Sequence, residues 1–186
     1  MYSAVNLLRL SGSHYFKIMF NSLQGGASVN HLHIHGMYSM YEKHSDNLLL
    51  ESLHPDCGTV FKTADSVNPG YVIPNLLENL STNLENIFKL VQFFEMRQIA
   101  YNMTMFYNSE TLVPEAVIWP RKKLVELRDS NKFEVAASEI SGHLVYKSRL
   151  DFEGADLASI ECQLKNAVFG RREYGEIEEW IVSTFE

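Results

Sequence analysis

Residues 30–36 read NHLHIHG. His31, His33 and His35 stand on alternate positions with Leu32 and Ile34 between them, so three of the chain's 7 histidines fall within one short stretch. In an extended strand, side chains at i, i+2 and i+4 share one face. The spacing therefore predicts a strand with three imidazoles on one side and Leu32 and Ile34 turned into an apolar core on the other. Upstream, HYFKIMF (14–20) is rich in aromatics and predicts a strand. NSLQGG (21–26) is turn chemistry, with Asn, Ser and paired glycines. The histidine strand is expected to run through ASVNHLHIHGMYSMY and to bend at Gly36.

Further out, residues 3–10 predict a helix stopped by SGS. Residues 42–74 form a long polar stretch punctuated by Pro55, Pro69-Gly70 and Pro74, which predicts a loop with short strands, a functional flap. In 75–96, Leu76, Leu77, Leu80, Leu84, Ile87, Phe88, Val91 and Phe94 recur at spacings of three and four, which predicts a helix. Strands are predicted at 98–108, 115–123 and 142–148, and helices at 151–167 and 175–185. Strands followed by helices in this order give an α+β fold with an antiparallel sheet and packed helices, in a single domain over 1–186.

The composition, 46% apolar and 21% charged, is that of a globular chain. A net charge of −7 argues against a nucleic-acid backbone as partner. No apolar run approaches the ~20 residues that cross a bilayer, and no secretory leader is read, so no membrane is expected. Cys57 and Cys162 are far apart and predict free thiols in a reducing compartment. The N-x-S/T patterns at Asn79 and Asn102 are read as chance matches, and Arg121 and Lys122 of PRKK (120–123) as a solvated cluster at a strand end in preference to a phosphate contact. Trp119 and Trp180 are expected in packing, and the acidic run EYGEIEEW on a solvated helix face.

The alternating histidines admit three readings. They could be hydrogen-bonded structural residues. They could hold a metal, although H-x-H needs further ligands and only His44 and His54 follow in the loop. They could perform nucleophilic catalysis at phosphorus, since an unperturbed imidazole with a pKa of ~6.5 is largely neutral near pH 7. It can form a covalent phosphoramidate and divide one transfer into two easier steps. The preceding residues suit an anion: Gly25 and Gly26 allow close backbone approach, Ser28 offers a hydroxyl, and Asn21 opens the turn.

The stretch GGASVNHLHIHG resembles the histidine-triad signature, and the longer FNSLQGGASVNHLHIHGMY (20–38) resembles the GDP-hexose phosphorylase branch of that superfamily. SEISGHLVYKSRLDFEGA (138–155) resembles a second block of the same branch, and VIWPRKK (117–123) loosely matches a third. The resemblance implies a histidine-triad-like sheet and phosphorolysis of GDP-glucose to GDP and glucose 1-phosphate through a guanylyl-histidine. His33 would be the nucleophile, flanked by His31 and His35, with Asn21, Gly25, Gly26 and Ser28 around the nucleotide phosphates. Animal members carry His at the third triad position and plant members Gln, so His35 sets the chain beside the animal, GDP-glucose branch. GDP-glucose and inorganic phosphate are the implied partners, with no cofactor, no metal and a cytoplasmic setting. QGG (24–26) stands where the family has Gly-Ala-Phe, which bears on substrate preference. Family members are about twice as long, so the resemblance also implies a C-terminal portion, an incomplete first sheet and an exposed strand edge open to pairing in a homodimer. Two alternatives follow from the same residues: a histidine-triad hydrolase using water as acceptor, and a non-catalytic nucleotide-binding fragment.

Overall fold

The computed structural model describes residues 1–39, 48–55, 57–64, 66–124 and 133–185. Helix α1 (Tyr2–Ser11) ends at Gly12, whose left-handed φ of 57° lets its N–H reach back to the Arg9 carbonyl. Strand β1 (Phe16–Asn21) follows, then one 3-10 turn (Leu23–Gly25) and the short β2 (His35–Tyr38). Three short strands, β3 (Leu50–Ser52), β4 (Phe61–Thr63) and β5 (Tyr71–Ile73), precede α2 (Leu80–Met96). The long pair β6 (Ala100–Tyr107) and β7 (Pro114–Arg121) is followed by α3 (Ala137–Ile140), α4 (Arg149–Glu153), α5 (Leu157–Asn166) and α6 (Arg171–Phe185).

Among the described residues the strands form one open antiparallel sheet of order β2-β1-β6-β7-β5-β4-β3. The fold is thus α+β with an antiparallel sheet, as the order of predicted elements implies. The sheet does not close on itself, and β2 and β3 are its edges. Both faces of its centre are covered. Tyr101, Met103 and Met105 of β6 pack with Ala116 and Ile118 of β7 against α1, α2 and α6, contributing Leu8, Ile87, Leu90, Phe94 and Ile177. The opposite parity, Phe106, Val117 and Trp119, packs against Phe133, Val135, Ile140 and Ala167. Trp119 is a core residue, and Trp180 stacks on Phe93 with ring centroids 4.0 Å apart.

Several sequence expectations need correction. The short strands expected in 42–74 are β3, β4 and β5, but they belong to the main sheet rather than to a flap, with β5 paired to β7 through Val72 and Val117; residues 42–47, 56 and 65 of that stretch, His44 among them, lie outside the described residues. Residues 142–148 form no strand: His143 N–H closes a turn onto the Ser138 carbonyl at 2.8 Å, and Leu144 and Tyr146 lie on the core. The helix expected at 151–167 is two, because Asp156 caps a fresh start after Gly154. The predicted helix at 75–96 begins only at Leu80, since Asn75 and Asn79 take left-handed φ values of 50° and 57°.

Candidate active site

The histidine stretch departs from a strand before it reaches two of its three imidazoles. His35 opens β2 opposite Met19, and the ladder runs on through Gly36–Ile18, Met37–Lys17 and Tyr38–Phe16. Extended backwards, the same register would set Asn21, the last residue of β1, opposite His33, but the ladder stops at His35. There is no strand partner for His31, and residues 28–34 are irregular. Leu32 is 86% exposed and Ile34 37%, so the expected one-sided strand with both side chains in the core is not formed.

The three rings nevertheless stay together. His31 and His33 have centroids 5.3 Å apart, and His33 and His35 5.0 Å apart at 75° between planes. The His33 Nδ1 lies 2.9 Å from the His31 carbonyl oxygen. A carbonyl only accepts, so Nδ1 carries the hydrogen and the neutral ring presents its lone pair on Nε2. His33 is half-buried, while His31 and His35 are exposed. Two hollows meet at this stretch. One, of about 390 Å³, is apolar and is lined by Ala4, Ile18, Tyr101, Met103 and Met105 together with His33. The other, of about 200 Å³, takes in Phe20, Asn21, Asn30, His31 and Glu95. Among the described residues no three His, Cys, Asp or Glu side chains are grouped to hold a metal ion.

The turn before the histidines is built into the sheet. Ser22 N–H donates to the Tyr101 carbonyl at 3.0 Å, and Tyr101 N–H donates to Ser22 Oγ at 2.9 Å. The Asn102 amide nitrogen donates to both Asn21 Oδ1 at 2.6 Å and the Gly25 carbonyl at 2.7 Å. Asn21 Oδ1 also accepts from Ala137 N–H at 2.9 Å, which ties the turn to α3. Gly25 is required by this packing: a Cβ there would sit 2.5 Å from the Tyr101 carbonyl oxygen. Its N–H is engaged by the Ser22 carbonyl at 2.9 Å and is not turned toward an anion. Gly26 adopts a φ of 103°, a conformation that favours glycine. Ser28 is exposed beyond the turn.

Arg121 is not the solvated cation its PRKK setting suggests. It is 2% exposed. Its Nη1 donates to Asn102 Oδ1 at 3.3 Å and to the Val135 carbonyl, and its Nε donates to the Lys122 carbonyl at 3.0 Å. Burial pushes the guanidinium down to about 10, against the opposing pull of the Glu139 carboxylate, so it remains a cation at neutral pH. Burial likewise pushes the Glu139 carboxyl up, while hydrogen bonds from Ser138 and from the Ala136 N–H hold it back. Asn102, Glu139 and Ser22 are not legible as site residues, and Arg121 is legible only as a surface cation or phosphate contact. The signal available was a lone Asn inside the apolar run AYNMTMFY, where a polar side chain on a central strand needs a buried partner.

Residues 72–186 match the family model described as GDPGP1-like, C-terminal domain. The chain is also similar to three curated proteins called GDP-D-glucose phosphorylase 1. The zebrafish protein (Danio rerio) is 24% identical over 97% of this chain and 55% of its own length. The Xenopus laevis protein is 28% identical over 90% and 44%, and the human protein (Homo sapiens) 29% identical over 80% and 43%. The chain thus spans about half the length of the curated relatives it matches. No solved structure matches it.

Proposed function

The chain belongs to the GDPGP1-like C-terminal domain family, and from that membership we propose that it is a GDP-glucose phosphorylase domain, histidine-triad-like over 1–186, whose nucleophile is His33. The observation that carries this reading is the bond between His33 Nδ1 and the His31 carbonyl, which frees Nε2 as a nucleophile. In the first step Nε2 attacks the α-phosphorus of GDP-glucose. The bond from that phosphorus to the bridging oxygen breaks, and glucose 1-phosphate leaves with the bonding pair. It is a stable anion and needs little help from an acid. In the second step an oxygen of inorganic phosphate attacks the guanylyl-histidine, the P–N bond breaks, and GDP departs with His33 restored to neutrality.

Charge developing on the transferring phosphoryl group is met by donors around it, chiefly an electrostatic task. His31 and His35, whose rings lie 5.3 Å and 5.0 Å from that of His33, are the first candidates for this role. Ser28 and Gly26 are the further candidates, and Asn21 and Gly25 serve by shaping the turn. Cys162 is an exposed thiol and Cys57 a buried one whose Sγ lies 3.8 Å from the Val60 carbonyl oxygen, which fits a reducing, cytoplasmic setting. No helix among the described residues is long and apolar enough to cross a membrane.

The test is incubation of the purified chain with GDP-glucose, with and without inorganic phosphate. Formation of GDP and glucose 1-phosphate only when phosphate is present is the expected result. GMP in place of GDP, independent of phosphate, would mark a hydrolase instead. A folded chain that binds GDP-glucose without turnover would mark a nucleotide-binding domain.

A further inference from the structure

Between Gly25 and His35 the chain crosses open surface, and its two ends are fixed by different means. His35 is held by the β1 ladder. Gly25 is held through its N–H by the Ser22 carbonyl and through its carbonyl by one side chain of β6, Asn102, which is 0% exposed. The Asn102 carboxamide is used on both sides. Its two N–H groups go to Asn21 Oδ1 and the Gly25 carbonyl, and its oxygen accepts from Arg121 Nη1. A flipped amide would set its oxygen against two acceptor oxygens and its nitrogen against a guanidinium, so the orientation is unique. Arg121 is itself held by the carbonyls of Lys122 and Val135, and Asn21 by the N–H of Ala137. One buried chain of hydrogen bonds thus joins the end of β7, the start of α3 and the turn that leads into His31 and His33.

We propose that Asn102, oriented by Arg121, is the positioning residue of the histidine loop, fixing the turn at Gly25 so that the His31 carbonyl meets His33 Nδ1. Its catalytic consequence rests on the reading of His33 as nucleophile, while its geometric part stands apart from any activity. Displacing a reacting group by about 1 Å can lower a rate by about 10²-fold. Asn102→Ala is therefore expected to lower kcat for GDP-glucose phosphorolysis by about 10²-fold with a smaller change in KM.

The decisive measurement is nitrogen-detected imidazole NMR on the ¹⁵N-histidine chain, which reports which ring nitrogen bears the hydrogen. The parent shows His33 protonated on Nδ1. Asn102→Ala shifts it toward the Nε2-protonated form that a free imidazole prefers, and Arg121→Met shifts it part of the way. Thr104→Val is the control. Thr104 lies two residues along the same face of β6, is equally buried and has no partner for its Oγ1, so this variant leaves His33 unchanged. If Asn102→Ala does not fold, Asn102→Asp keeps the shape, removes both donors and carries the same expectation. A folded Asn102 variant with an unaltered His33 tautomer, or a Thr104→Val that alters it equally, overturns the proposal. Absence of turnover in every protein, parent included, would count against the phosphorylase reading alone, since the tautomer measurement still decides the positioning.

Discussion

Gly70 and Glu115 show how single side chains are constrained near the middle of the sheet. Gly70 bonds Thr63 through both its N–H and its carbonyl at 2.9 Å. A Cβ on Gly70 would lie 2.6 Å from Trp119 Cδ1 and 3.1 Å from Val117 Cγ1. Both neighbours belong to the core, so neither can give way freely. Gly70→Ala is expected to destabilise the chain by about 1–3 kcal/mol, read as a lower denaturant midpoint. Glu115 is 6% exposed, with Oε1 accepting from Asn108 at 3.4 Å and Oε2 without a partner. Burial pushes its carboxyl up from the ordinary 4.5, and the Asn108 bond only partly opposes that. The folded state therefore holds this proton more tightly than the unfolded one, and stability falls as pH rises from below 4.5 through the raised folded value. Glu115→Gln stays neutral, so its Tm relative to the parent should be higher at about pH 7 than at about pH 4. An equal difference at both values would mean that Glu115 ionises in the fold without penalty.

At the scale of elements, the periodic segments were legible and the paired ones only in part. Helix α2 is read directly from its leucine and phenylalanine spacing because Leu84, Ile87, Leu90 and Phe94 all enter one core. β6 and β7 are near-continuous apolar runs because both their faces are covered. GHLVYKS alternates like a strand yet is none, although Leu144 and Tyr146 pack on the core; periodicity reports burial, not hydrogen bonding. The break between α4 and α5 was present in the sequence as GADLAS. Asp156 Oδ1 accepts from the Ser159 N–H at 2.7 Å, and Ser159 Oγ accepts in return from the Asp156 N–H at 3.3 Å. Asp156→Ala should destabilise α5 by about 1 kcal/mol. Earlier amide exchange confined to Leu157–Asn166 would show it, and uniform exchange across the chain would contradict it.

At the scale of the whole molecule, the α+β class with an antiparallel sheet follows from the sequence pattern. The geometry that makes the histidines a site does not. NHLHIHG predicts a flat row of three imidazoles, but only His35 is paired to β1, and the rings are gathered by an irregular loop instead. What anchors that loop, Asn102 and Arg121, is drawn from strands far along the chain, and long-range partners leave no mark in local spacing. The sheet's open edges are short, four residues in β2 and three in β3, which limits the unpaired backbone they present. The proposed function rests on one claim, that His33 Nε2 is the atom that bonds to phosphorus. The measurement that tests it most directly is intact-mass and peptide mapping of the chain after incubation with GDP-glucose in the absence of phosphate. A guanylyl adduct on His33, formed with an equal amount of glucose 1-phosphate and absent in His33→Ala, is the predicted result. A folded chain that forms no adduct, or forms it equally in His33→Ala, would contradict the account.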